Sequence, residues 1–123
     1  MNVKKVLIDT SAWIDYFKQT SKKTGQIIDD LLSSGRACLA DIIVAELIQG
    51  AKSEKEISVI KEMGATLSVL KQSNRIWEKA GRLSYDLKRK GATVNLTDCY
   101  IAIIAVENQC ALLTFDKHFK IIA

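Results

Sequence analysis

The stretch VLIDTSAWIDYF, residues 6–17, decides how the chain reads. Val6, Leu7 and Ile8 form a short apolar run, partly β-branched, that stops at Asp9. Such a run suits a strand buried on both faces. After Thr10 and Ser11, the apolar residues Ala12, Trp13, Ile14, Tyr16 and Phe17 recur with a helical period. That pattern predicts an amphipathic helix. Asp9 therefore falls where a strand ends and a helix begins, and two roles suit it there. Aspartate is a favoured N-cap. In parallel α/β sheets, ligands also gather just outside the carboxyl ends of strands.

The rest of the chain repeats this alternation. A second helix is expected over residues 25–33, with Ile27, Ile28, Leu31 and Leu32 on its apolar face. A strand follows at 36–40, and Asp41 can cap a helix over 42–51. Ser53 and Glu56 have capping-box spacing for a helix to about Met63, ended by Gly64. Residues 65–70 read as a third strand. The longest helix is expected over 73–90, with a core stripe of Ile76, Ala80, Leu83 and Leu87 widened by Trp77. A connector at 92–95 leads to a helix over 99–107 that is apolar almost all round, with Asp98 at its N-terminus and Asn108 in a left-handed turn after it. Residues 110–115 form a fourth strand ending at Asp116. One helical turn at 117–120 and a last short strand at Ile121 and Ile122 complete the pattern. Strands alternating with helices predict a mostly parallel sheet of four to five strands flanked by helices.

Composition sets the outer bounds. With 123 residues the chain reads as one domain, residues 1–123, and its 48% hydrophobic and 26% charged content is that of an ordinary globular protein. Neither a signal-peptide h-region nor a membrane-length apolar run is present, so a cytoplasmic location without membrane contact is expected. Cys38, Cys99 and Cys110 are widely spaced among apolar neighbours, the pattern of buried core thiols. His118 is the lone histidine, which excludes a multi-histidine zinc site. The net charge of +4 is mild, but residues 71–90 hold seven basic side chains against two acids. Arg75, Lys79 and Arg82 are the candidates there for contacting a polyanion; a solvated helix face accounts for them as well.

Four acids stand apart. Asp9 and Asp116 each follow a strand, Asp98 opens a buried helix, and Glu46 lies about one turn into the helix after the second strand. Glu46 shares its face with Gln49, Gly50 and Ser53, and Gly50 leaves that stripe open as a cleft wall would need. A parallel sheet brings three of the four to its carboxyl edge and leaves Glu46 within reach. Four carboxylates within roughly 5 Å would repel by about 3 kcal/mol per pair at an effective dielectric of 20, so such a cluster needs cations or protons. An all-oxygen ligand set suits Mg²⁺ or Mn²⁺.

The segments IDTS at 8–11, AELIQGA at 45–51, LTDCYIAIIA at 96–105 and LLTFDKHF at 112–119 occur in this order across nearly the whole chain. Together they resemble the PIN-domain ribonucleases, and more narrowly the VapC-type toxins of prokaryotic toxin–antitoxin pairs. The resemblance implies a PIN-like three-layer α/β/α fold. It implies a catalytic and metal-binding set of Asp9, Glu46, Asp98 and Asp116, with supporting hydroxyls from Thr10, Ser11 and Thr114. It also implies homodimers, a cognate antitoxin, and an RNA substrate of the transfer or ribosomal class. One departure is that Lys117 and His118 stand where some relatives carry a further acid, which bears on a second metal ion.

The expected activity is that of a metal-dependent endoribonuclease, in which a metal-activated water attacks an RNA phosphodiester in line. The alternative is a PIN-fold module that binds RNA or protein without cleaving it. A phosphoacceptor receiver domain is disfavoured because no aspartate ends the third strand. A haloacid-dehalogenase-type phosphatase is disfavoured because Ser11 stands where its second aspartate belongs.

Overall fold

The structure is a computed structural model and describes residues 4–115. The strand predicted ahead of Asp9 is β1 (Val6–Ile8), buried along its length. It is followed by α1 (Thr10–Lys18), α2 (Lys22–Ser33), β2 (Ala37–Leu39), α3 (Asp41–Gln49), α4 (Glu54–Thr66), β3 (Ser68–Val69), α5 (Ile76–Arg89), α6 (Leu96–Glu107) and β4 (Ala111–Leu113). The four strands form one parallel sheet in the order β3-β2-β1-β4. The additional strand expected at Ile121 and Ile122, and the turn before it, lie outside the described residues.

The sheet order fixes the layers. From β1 the chain moves through β2 to β3 in one direction, then crosses back through α5 and α6 to place β4 on the other side of β1. Crossovers between parallel strands are right-handed, so the first four helices cover one face and α5 and α6 the other. The helix contacts agree: α1 packs on α2 and α3, α3 on α4, and α5 on α6. Leu7, Ile8, Trp13, Ile28, Leu39, Ile43, Tyr100, Ile101 and Ile104 form the fully buried centre. The reversal of strand order puts a crevice between the carboxyl ends of β1 and β4, the place where such sheets bind ligands. Among the described residues, no helix is long and apolar enough to cross a membrane.

Several boundaries differ from the sequence reading. α1 starts at Thr10, so Thr10 and Ser11 are helical. α4 runs through Gly64 to Thr66, and β3 shrinks to two exposed residues. A helical glycine costs only about 1 kcal/mol, which the packing of Ile60 and Met63 against the core outweighs. α5 starts at Ile76 and not at Ser73, because Arg75 adopts a left-handed conformation with φ of 62°. Trp77 does not widen the core stripe; it is 49% exposed. The left-handed residue after α6 is Gln109, not Asn108. Ala40 holds the N-cap position of α3, while Asp41 is its first helical residue and accepts the Ile42 N–H.

Candidate active site

Asp9 leaves β1 directly at the crevice. Its backbone N–H donates to Leu113 O at 2.9 Å, which ties the end of β1 to the end of β4. Its φ and ψ are those of an N-cap, yet its carboxylate makes no capping bond to α1. The carboxylate turns instead toward two hydroxyls. Thr114 Oγ1 donates to Asp9 Oδ2 at 2.8 Å, and Ser11 Oγ donates to the same oxygen at 3.1 Å. Ser11 Oγ also accepts the Phe115 N–H at 3.0 Å and lies 3.3 Å from Thr114 Oγ1. Ser11 is thus a clasp between the first turn of α1 and the chain leaving β4.

Asp9 is only 5% exposed. Among the described residues no lysine or arginine pairs with it; the ion pairs there are Lys79–Glu107 and Arg82–Asp86. A buried carboxylate without a counter-charge is costly unless it is hydrogen-bonded and paired. The two hydroxyls supply the first requirement, and a cation would supply the second.

Asp98 is 8% exposed. It does not open α6. Asn95 is the N-cap, and its Oδ1 accepts the Asp98 N–H at 2.8 Å. Asp98 therefore sits three positions past the cap, inside the first turn, where the macrodipole favours a negative charge. The Cys99 thiol is pushed up by burial and, secondarily, by the Asp98 carboxylate beside it. Neither carboxylate is thus an N-cap acceptor: Asp9 makes no capping bond, and Asn95 holds the cap position ahead of Asp98.

Glu46, half-buried on α3, accepts a hydrogen bond from Thr10 Oγ1 at 2.7 Å. Thr10 adjoins Asp9, so this bond links the third acid to the first through one residue. Glu46 also lines a cleft of about 370 Å³ with Ile14, Phe17, Gly50 and Val59. The open stripe expected at Gly50 is one wall of that cleft. Asp116 lies outside the described residues, two positions beyond Thr114.

The described residues alone hold no group of three or more His, Cys, Asp or Glu side chains close enough to bind a metal. What they offer is a donor set made of oxygen: two buried carboxylates, a half-buried one and three hydroxyls. That chemistry fits a hard divalent cation such as Mg²⁺ or Mn²⁺ and does not fit Zn²⁺.

The basic candidates are elsewhere. Lys79 Nζ donates to Glu107 at 2.6 Å and pulls that carboxyl below its usual range. Arg82 pairs with Asp86 at 3.0 Å and lies over the Tyr85 ring. Arg75 precedes α5 in its left-handed conformation. Two of the three are therefore already engaged within the chain. The sequence reading missed Asn95 as a cap and the bond from Tyr100 Oη to Asp41 Oδ1 at 2.9 Å.

Comparison with known proteins agrees with this fold. The family model described as "PIN domain" matches residues 6–123. The chain is similar to VapC ribonuclease Mb1587 of Mycobacterium bovis, 29% identical over 122 residues that span 96% of this chain and 91% of the relative. It is also similar to Ribonuclease VapC1 of Methanocaldococcus jannaschii, 27% identical over 117 residues, 94% of this chain and 79% of the relative. Among solved structures, DNA-bound VapBC from Salmonella typhimurium superposes with a TM-score of 0.78 at 27% identity, over 96% of this chain and 92% of that one. VapBC-1 from nontypeable Haemophilus influenzae gives 0.75 at 26% identity, over 95% and 91%.

Proposed function

The chain belongs to the PIN-domain family, and from that premise we propose that it is an endoribonuclease, dependent on Mg²⁺ or Mn²⁺, acting as the toxin of a toxin–antitoxin pair. The observation that carries the reading is Asp9. It is a buried carboxylate at the crevice between β1 and β4, oriented by two hydroxyls and left without a counter-charge among the described residues. The names of the similar ribonucleases and toxin–antitoxin complexes support the same assignment.

In this reading Asp9 and Asp98 hold the cation, together with Asp116. Glu46 is a further ligand or orients a water. A bound Mg²⁺ or Mn²⁺ supplies an activated water and neutralises charge growing on the phosphodiester. Ser11 and Thr114 hold the Asp9 carboxylate in one orientation, and Thr10 does the same for Glu46. The substrate is RNA of the transfer or ribosomal class, the partner is a cognate antitoxin, and the active species is a homodimer in the cytoplasm.

The test is cleavage of single-stranded RNA by the purified chain. Activity should vanish in excess EDTA and return with added Mg²⁺ or Mn²⁺. Asp9→Asn prepared in parallel should be inactive, which controls for contaminating nucleases. Undiminished cleavage in EDTA would refute the metal requirement. A folded wild type that cleaves no RNA with either metal would leave the non-catalytic binding module as the reading.

A further inference from the structure

Trp77 is half exposed at the start of α5, with its ring centroid 4.3 Å from that of Tyr100 and 31° between their planes. Tyr100 is 1% exposed and does not move freely: its hydroxyl donates to Asp41 Oδ1 at 2.9 Å. Gln72 donates to the other oxygen of Asp41. Asn108 Nδ2 donates to Lys71 O at 3.1 Å, which anchors the segment between β3 and α5 to the end of α6. The indole therefore rests on a fixed base and faces an open cleft of about 840 Å³ that Lys71 and Arg75 also line.

The position of this cleft is informative. Asp41 comes two residues after β2, and the Lys71–Arg75 segment follows β3. Both lie at the carboxyl edge of the sheet, the edge that carries Asp9 after β1 and Thr114 after β4. Tyr100 lies two residues beyond Asp98 on α6. An aromatic face with cations beside it is the arrangement that binds unpaired nucleotides, because every base has a face to stack and every phosphate a charge to neutralise. Seven of the eleven residues lining the cleft are polar or charged. The core of a protein–protein interface is depleted in charge, so a second copy of the chain suits this surface less well.

We propose that Trp77, backed by Tyr100 and flanked by Lys71 and Arg75, is a stacking platform for one unpaired base of a single-stranded RNA, on the same carboxyl edge of the sheet as Asp9. The proposal rests on the ribonuclease reading for the identity of its ligand. It adds a residue that positions RNA without touching the reacting atoms.

Tryptophan emission tests it directly. The chain has two tryptophans, and Trp13 is fully buried, so quenching by an RNA base reports on Trp77. With metal chelated, a short single-stranded oligoadenylate should quench the exposed emission saturably. Trp77→Ala should weaken binding about tenfold. In the metal-loaded protein it should raise KM with kcat little changed. Trp77→Phe retains a stacking ring, guards against a folding defect and should keep most of the affinity. Wild-type affinity and KM in Trp77→Ala, or no quenching by the oligonucleotide, overturns the platform. So does an emission that changes with protein concentration alone while Trp77→Ala converts a dimer to a monomer in sedimentation with RNA affinity untouched; that result assigns the face to a second copy. Wild-type cleavage is scored separately. Its absence fails the ribonuclease reading, whereas the platform is then judged on quenching alone.

Discussion

Asp98→Asn and Asn95→Ala, made as a pair, separate chemistry from helix capping at the start of α6. Asn95 Oδ1 accepts the Asp98 N–H at 2.8 Å, and loss of such a cap costs about 1 kcal/mol. For a domain of this length that is roughly 3–6 °C in Tm. Asn95→Ala should therefore be measurably less stable while the folded fraction cleaves RNA at the wild-type rate. Asp98→Asn leaves the cap in place, because the bond uses the backbone N–H. It loses a macrodipole interaction of about 0.3–1 kcal/mol, and relief of repulsion among neighbouring carboxylates works against that loss. Its metal-free Tm should stay within about 5 °C of wild type. Its cleavage should fall by about two orders of magnitude or more, since several kcal/mol of charge stabilisation goes with the ligand. The assay is thermal unfolding in EDTA followed by cleavage at saturating RNA. An Asp98→Asn protein that is stable and fully active would refute the placement of Asp98 in the site. An Asn95→Ala protein as stable as wild type would refute the capping geometry.

Two further perturbations test other parts of the structure. Ser11→Ala removes a donor to Asp9 and the acceptor of the Phe115 N–H; it should cost about 1–3 kcal/mol in urea unfolding and raise the Mn²⁺ concentration needed for half-maximal cleavage, and an unchanged metal requirement would mean that Thr114 alone orients Asp9. Tyr100→Phe tests the buried phenol through pH: the folded pKa is raised above the unfolded value near 10, so the stabilisation is fully present below pH 10 and is lost as pH rises beyond it. Urea midpoints at pH 9 and 11 should fall more steeply for wild type than for Tyr100→Phe, and parallel slopes would place that phenol in a more solvated setting.

The elements legible in the sequence are those whose signal is local. β1 reads as a buried strand because three apolar residues end abruptly at Asp9, and α6 reads as a buried helix because nearly every position in it is apolar. The boundaries that slipped depend on neighbours distant in sequence. Gly64 looks like a stop until α4 has a core to lie on. Arg75 begins a helix in a left-handed conformation that no propensity favours. Trp77 matches the period of the core stripe, but apolar periodicity does not register whether anything covers the ring. Asn95 was detectable, since asparagine three residues ahead of an acid is a helix-start signature; the prominence of Asp98 hid it.

The candidate site was legible as a list of residues but not as a set of pairings. With α1 started at Ala12, Thr10 and Ser11 are loop hydroxyls, and either could serve either acid. With α1 started at Thr10, they are consecutive helical residues whose side chains diverge by about 100°, so they do not serve the same carboxylate. Thr10 reaches across to Glu46 on α3, 36 positions away, and Ser11 turns back to Asp9 and the chain leaving β4. The two hydroxyls that follow Asp9 thereby fix carboxylates on two sides of the crevice, and the helix start that divides them is set by the sheet register joining Ile8 to Leu113.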